Sequence, residues 1–243
     1  MSVGVQPFKP TQVIQAGDLW RWSVEKYHEL IETGILMEDD PVELLEGYIV
    51  MKHDRSGEAW LWSVEKYHEM IEQGILMEDD PVELLEGCLV RKMPKNPNHR
   101  ISTRSTLKAL EDIVPSGWYV DSQEPVAVSG SESEPDVAVI RGDTRDYTAA
   151  HPGPEDIALV VEVSDSSLDM DRTSKRRMYA GAGIPCYWIV NLQEMCLEVF
   201  TDPTGHGEKA EYGSLSKAGC DEKVSLSIDG VTVGEIAVSD LLP

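Results

Sequence analysis

Residues 158–190 read ALVVEVSDSSLDMDRTSKRRMYAGAGIPCYWIV. The run from Ile157 to Val163 has the length and valine content of a strand buried on both faces. Into that strand the sequence sets a carboxylate, Glu162. An unpaired charge in such a place costs on the order of several kcal/mol, so the acid must pair, take up a proton or meet a metal. A lysine, Lys175, follows thirteen residues later. SSLDMDRTSKRRMYAGAG (166–183), which contains this lysine, reads as a helix, capped by Ser166 or Ser167 and ended by Gly181 or Gly183. PCYWIVNL then opens the next strand.

Working outward, NHRISTRSTLKALEDI (98–113) reads as a helix with Ile101, Leu107, Leu110 and Ile113 on one side. WYVDSQEPVAV (118–128) and PDVAVIR (135–141) precede the Glu162 strand, and CLEVFTD, KVSLSI and VTVGEIAV follow the PCYWIVNL strand. Helix, three strands, helix, strand is the order of an α/β sandwich with a central mixed sheet, not of a repeated βαβ fold.

Near the start the chain writes one segment twice. Residues 20–50 return at 60–90 with an offset of 40, and only five of the 31 positions differ: Arg21/Leu61, Leu30/Met70, Thr33/Gln73, Tyr48/Cys88 and Ile49/Leu89. Two copies are too few for a solenoid. In each, Ser23 or Ser63 caps a short helix, Trp22 with Tyr27 or Trp62 with Tyr67 can staple its first turn, and Gly34 or Gly74 stops it. VELLEG then turns at Glu-Gly into a second strand, making a hairpin. The expected division is a 1–59 extension carrying the extra helix and hairpin, and a 60–243 domain that includes the second copy. A duplication tolerated at a terminus is the plainer reading; two like elements competing for one docking site also invite exchange between chains, hence a homodimer.

With 243 residues and 41% hydrophobic content, the chain can build one large domain or a domain with an appendage. No run of about 18 apolar residues predicts a membrane span, and MSVGVQPFKPTQVIQAGDLW lacks the basic head and apolar stretch of a secretory signal. Cys88, Cys186, Cys196 and Cys220 show no CxxC spacing, so neither a zinc cluster nor a disulfide framework is expected. A reducing, cytoplasmic location is the default. The formal charge is 21 − 44 = −23, and residues 20–59, with ten acids and four bases, account for only part of it, leaving 17 − 34 = −17. Such a balance disfavours tight nonspecific binding to nucleic acid. Basic residues do cluster at 90–104 and 171–177, so a polyanion would meet those faces or be bridged by a divalent cation.

Asp136 starts one strand on the side shared with Ala138 and Ile140, and Glu162 lies near the end of the following one. If the two strands pair antiparallel, the acids converge. Their repulsion favours a cation between them, and magnesium takes a couple of carboxylates while keeping its waters. Lys175, one or two turns into the next helix, can reach back. Two acids, a cation and a lysine are the parts of metal-assisted phosphodiester hydrolysis.

EPDVAVIRGD, the 158–190 stretch and the earlier VELLEG…NPNHR together resemble the Uma-two family, restriction-endonuclease-like proteins of the PD-(D/E)XK nuclease superfamily. The likeness covers roughly residues 60 to 243. It implies a restriction endonuclease-like fold, cleavage of DNA, and Asp136 and Glu162 as ligands of Mg²⁺ or Mn²⁺. It further implies that Lys175 replaces the lysine usually found two residues after the acid, where this chain has Ser164. For the acid often supplied by the first helix, the matching helix offers only Glu111 at its far end; Glu83 and His99 are the substitutes.

Each residue also has a structural reading. Glu162 can be half of a buried ion pair with Lys175 or Arg176, and Asp136 a strand-opening residue satisfying loop amides. Asp171 and Lys175, spaced i and i+4, can be a surface helix pair. His99 can orient the helix start, and Trp118, Trp188 and Tyr179 can be packing. Two functions are therefore expected: a metal-dependent DNA endonuclease, or a catalytically inactive module of the same fold that binds a partner.

Overall fold

A computed structural model describes residue 14 and residues 17–52, 59–77, 79–128 and 130–243. The N-terminal stretch read for a secretory signal lies mostly outside the described residues. Among the described residues, no helix is long and apolar enough to cross a membrane. The chain forms two compact units, residues 1–92 and residues 93–243, so the second copy of the repeat shares a unit with the first.

In the first unit the two copies fold alike. Helix α1 (Val24–Glu32) and helix α2 (Val64–Glu72) start at Ser23 and Ser63, whose side chains accept the Lys26 and Lys66 amides. Each ends at a left-handed glycine, Gly34 or Gly74. Strands β1 (Val42–Leu45) and β2 (Tyr48–Met51) pair antiparallel, as do β3 (Val82–Leu85) and β4 (Cys88–Arg91). Their turns place Glu46-Gly47 and Glu86-Gly87 at positive φ, the geometry of a two-residue hairpin. Leu30, Ile35, Leu36 and Val42 of the first copy and Met70, Ile75, Leu76 and Val82 of the second share one apolar core.

The second unit is built on a six-stranded sheet of order β12-β11-β10-β9-β8-β5. Its strands are β5 (Trp118–Asp121), β8 (Val137–Arg141), β9 (Ile157–Ser164), β10 (Cys186–Asn191), β11 (Cys196–Thr204) and β12 (Glu211–Gly219), with two further hairpins formed by β6 (Val126–Val128) and β7 (Ser131–Ser133), and by β13 (Lys223–Ile228) and β14 (Val231–Ala237). Within this sheet β9 and β10 pair in parallel, joined by a helix over residues 168–181, and the other neighbours among the described residues are antiparallel. The mixed sheet with flanking helices is the architecture expected from the sequence.

Alternation along the strands gives the sheet two buried faces. Val137, Val139, Leu159, Val161, Val163 and Trp188 pack with Leu110 of helix α3 (Pro97–Glu111) and with Leu226 and Ile236 of the β13–β14 hairpin. At about 25 cal/mol per Å² of apolar surface, burial of this scale is the main favourable contribution to folding. The other face carries Glu162 and Ser164, and both sides of β9 are buried along its whole length.

Some local expectations change. Helix α3 turns Ser102, Thr103, Thr106 and Leu110 inward and leaves Ile101 exposed. Small hydroxyl residues let the helix lie close, and Ser102 Oγ donates to Leu241 O at 2.5 Å. The run 118–128 is two strands, because Pro125 lacks an amide for the ladder and Gln123 adopts φ 62°. Trp188 is fully buried, whereas Trp118 is only partly so.

Candidate active site

Register brings the two acids together. Val137 of β8 stands opposite Val161 of β9. Asp136 precedes the one and Glu162 follows the other, so both acids stand at one end of the ladder, on the same face of the sheet. Both are almost fully buried, at 5% and 4% exposure.

Each carboxylate is held by its own partners. Asp136 Oδ2 accepts from the Val163 amide at 2.9 Å and lies 3.1 Å from His99 Nε2. Lys95 Nζ stands 3.6 Å from Oδ1, on a side chain that is 41% exposed. Burial is the largest influence on Asp136 and pushes its carboxyl up. The His99 hydrogen bond and charge, the Val163 amide and Lys95 together outweigh it, and the group is held below the ordinary carboxylate range. His99 is placed by α3: its amide is bonded by the Asn96 cap at 3.0 Å, and Thr103 Oγ1 lies 3.4 Å from Nδ1.

Glu162 Oε1 takes two donors, Lys175 Nζ at 3.0 Å and the Tyr179 hydroxyl at 2.9 Å. Tyr179 OH in turn lies 3.0 Å from Ser133 Oγ. Of the two cations weighed for Glu162, the structure uses Lys175; Arg176 lies over the Phe200 ring instead. The sequence's buried acid is therefore charge-paired and hydrogen-bonded, the condition under which a low-dielectric site tolerates it.

The helix that supplies Lys175 is irregular. Residues 168–170 and 176–181 are α-helical, and Asp171–Lys175 form a π-helical turn. Such turns recur at functional sites because they redirect side chains within a helix. Here the turn is buried: Asp171 is 1% exposed and Lys175 is 7% exposed. The surface-pair reading of Asp171 is thus corrected. Its Oδ2 accepts from Ser164 and Ser167 hydroxyls, both at 2.6 Å, while Oδ1 has no hydrogen-bond partner among the described residues and lies 4.0 Å from Lys175 Nζ. Burial pushes the Asp171 carboxyl up, Lys175 and the two serines oppose this only in part, and the negative charge of Asp136 adds to the rise. Ser164, two residues after Glu162, is thus a holder of Asp171.

Asp136, Glu162, Lys175 and His99 all belong to the second unit, whereas Glu83 is a buried residue of β3 in the first. Glu111 is the last residue of α3 and is exposed. The sequence reading missed Asp171 and the hydroxyl role of Tyr179. Their signal was the four-residue step Asp171, Lys175, Tyr179, which stripes one side of a helix. Of the second basic run, Arg172 is bound to Glu198 and Glu194.

Among the described residues, no group of three or more His, Cys, Asp or Glu side chains is arranged to hold a metal. An all-protein cage is not what Mg²⁺ uses, however; one or two carboxylates with waters suffice. Asp136 and Glu162 supply that hard-oxygen donor set, and Lys95, reaching Asp136 from solvent at longer than hydrogen-bond distance, is a cation that another could displace. The residues fit a Mg²⁺ or Mn²⁺ ion.

Comparison with known proteins gives the family and the fold. The family model described as "Putative restriction endonuclease", Uma2, matches residues 64–229. The chain belongs to the Uma2 family. A crystal structure from Anabaena variabilis ATCC 29413, described as "a putative nuclease belonging to DUF820", superimposes with a TM-score of 0.54. It is 11% identical and the match covers 74% of this chain and 96% of that one, so it shows a shared fold. No curated protein matches. The family match supports a nuclease.

Proposed function

We propose that this Uma2 chain is a metal-dependent DNA endonuclease in which Asp136 and Glu162 hold Mg²⁺ or Mn²⁺ and Lys175 completes the site. The observation that supports it most is the placing of the two acids across the β8–β9 ladder with Lys175 Nζ 3.0 Å from Glu162 Oε1. When bound, the cation would polarise a phosphoryl oxygen and lower the pKa of a coordinated water. The chain's own residues do the rest. Lys175 holds Glu162 in one rotamer and brings a positive charge to where phosphate charge develops. Tyr179 fixes the same oxygen, so Glu162 cannot swing away. His99 and the Val163 amide keep Asp136 ionised, as a metal ligand must be. The exposed Lys95 stands on the solvent side of Asp136, a place for a DNA phosphate.

The test is cleavage of plasmid DNA with and without Mg²⁺. Nicking that needs the metal, and is lost in Glu162→Gln and Lys175→Met proteins of unchanged circular dichroism, supports the proposal. Equal nicking in both variants sinks it. A second reading, an inactive module that binds a partner, is favoured by the pairing of each acid with a side chain of this chain. It expects no metal-dependent cleavage.

A further inference from the structure

The two copies of the repeat do not merely sit in one unit; they are joined reciprocally. The chain before the first copy pairs with the hairpin of the second, Leu19 bridging Val90, and the chain before the second pairs with the hairpin of the first, Ala59 bridging Val50. With the offset of 40 these are the same contact made twice. Trp20 N donates to Leu89 O at 2.8 Å, and Trp60 N donates to Ile49 O at 2.9 Å. Lys26 Nζ reaches Gly74 O at 3.3 Å, and Lys66 Nζ reaches Gly34 O at 3.4 Å. Trp22 meets its own counterpart, Trp62, with ring centroids 6.1 Å apart.

Contacts in which i meets j and j meets i, with one residue meeting its own copy, define an isologous two-fold interface. Within a single chain that arrangement is a pseudo-dimer. Because 26 of 31 positions are identical, the surface that receives the first copy is nearly the surface that the first copy presents. The differences leave this intact. Leu30/Met70 and Ile49/Leu89 conserve volume. Arg21 and Tyr48 satisfy each other inside the first copy, Nε to hydroxyl at 3.0 Å, and both are replaced in the second, by Leu61 and Cys88.

We propose that residues 59–92 are a homodimerisation surface for the same element of a second copy of this chain, and that residues 18–52 occupy that surface in cis. The occupant in trans is the second chain's own 59–92 element, its arm at Ala59-Trp60 laid along β4. Tethering sets an effective concentration of order mM for the cis pairing, so the full chain is monomeric at micromolar concentration.

Sedimentation of the full chain tests this. Wild type is expected as a monomer. Trp22→Glu spoils the cis contact, frees the second copy, and is expected to give a discrete dimer with a dissociation constant at least tenfold below that of wild type. Adding Trp62→Glu spoils the trans contact as well and is expected to restore the monomer. Trp20→Pro removes the N–H that bonds Leu89 O and, as a milder disruption, is expected to raise the dimer fraction above wild type. A Trp22→Glu protein that stays monomeric with native circular dichroism overturns the proposal, as does a dimer that survives the double substitution. If Trp22→Glu does not fold, a dimer fraction unchanged in Trp20→Pro overturns it.

Discussion

Lys175 Nζ and Glu162 Oε1 are 3.0 Å apart, with side chains 9% and 5% exposed, although one lies in the middle of a sheet and the other on the helix beside it. Removing one member takes the nearest opposite charge from the other inside a buried site, which costs up to about 3–5 kcal/mol, whereas removing both leaves neither charge of the pair to bury. Urea unfolding of Glu162→Gln, Lys175→Met and the double variant is the check. The double variant is expected to be more stable than the sum of the singles allows, by more than about 1 kcal/mol of coupling. Additive losses would mean that the two charges do not depend on each other.

The Asp136 carboxyl is depressed in the folded chain, so its stabilising contribution is fully present above its unfolded pKa and lost as pH falls through the lower folded value. Burial, the largest influence, acts in the opposite sense and is outweighed first by His99. In His99→Ala the carboxyl is expected to titrate at higher pH, and acid unfolding to move to higher pH with it. Carbon-detected NMR of the Asp136 side chain reads the shift, and an unmoved titration would show that His99 is a bystander.

For Asp171 the sign is reversed. Its folded pKa is raised by burial, so its contribution is fully present below the unfolded value, about 3.9 for an aspartate, and is lost as pH rises through the folded one. Asn in this place keeps an oxygen for the Ser164 and Ser167 hydroxyls and has no charge to bury. The stability of wild type minus that of Asp171→Asn is therefore expected to fall as pH rises from 4 through the raised folded value. A difference independent of pH over that range would contradict a buried, proton-holding acid.

How much of this could be read beforehand differs from residue to residue. Glu162 was legible because one acid among valines has few physical options, and Asp136 because it shares parity with Ala138 and Ile140. Asp171 was not, since an acid four residues before a lysine looks the same on a buried helix face as on a wet one. The π-helical turn leaves no pattern in a polar run such as SLDMDRTSKRR. Strand β12 escaped notice because it is an edge strand, mostly exposed, with two glycines and no β-branched residue in EYGSLSKAG. Strand β7, Ser-Glu-Ser, is buried with no apolar residue to announce it. The break at 122–125 was readable, as Pro125 stands in a run that would otherwise be one strand.

The proposed cleavage requires Asp136 and Glu162 to share one divalent cation. Calorimetric titration of the full chain with Mn²⁺, repeated on Asp136→Asn and Glu162→Gln proteins with retained circular dichroism, tests that directly. One site in the wild type, lost in each variant, is the expected result. A site that either variant keeps at unchanged affinity, or a wild type that takes up no ion, would contradict it.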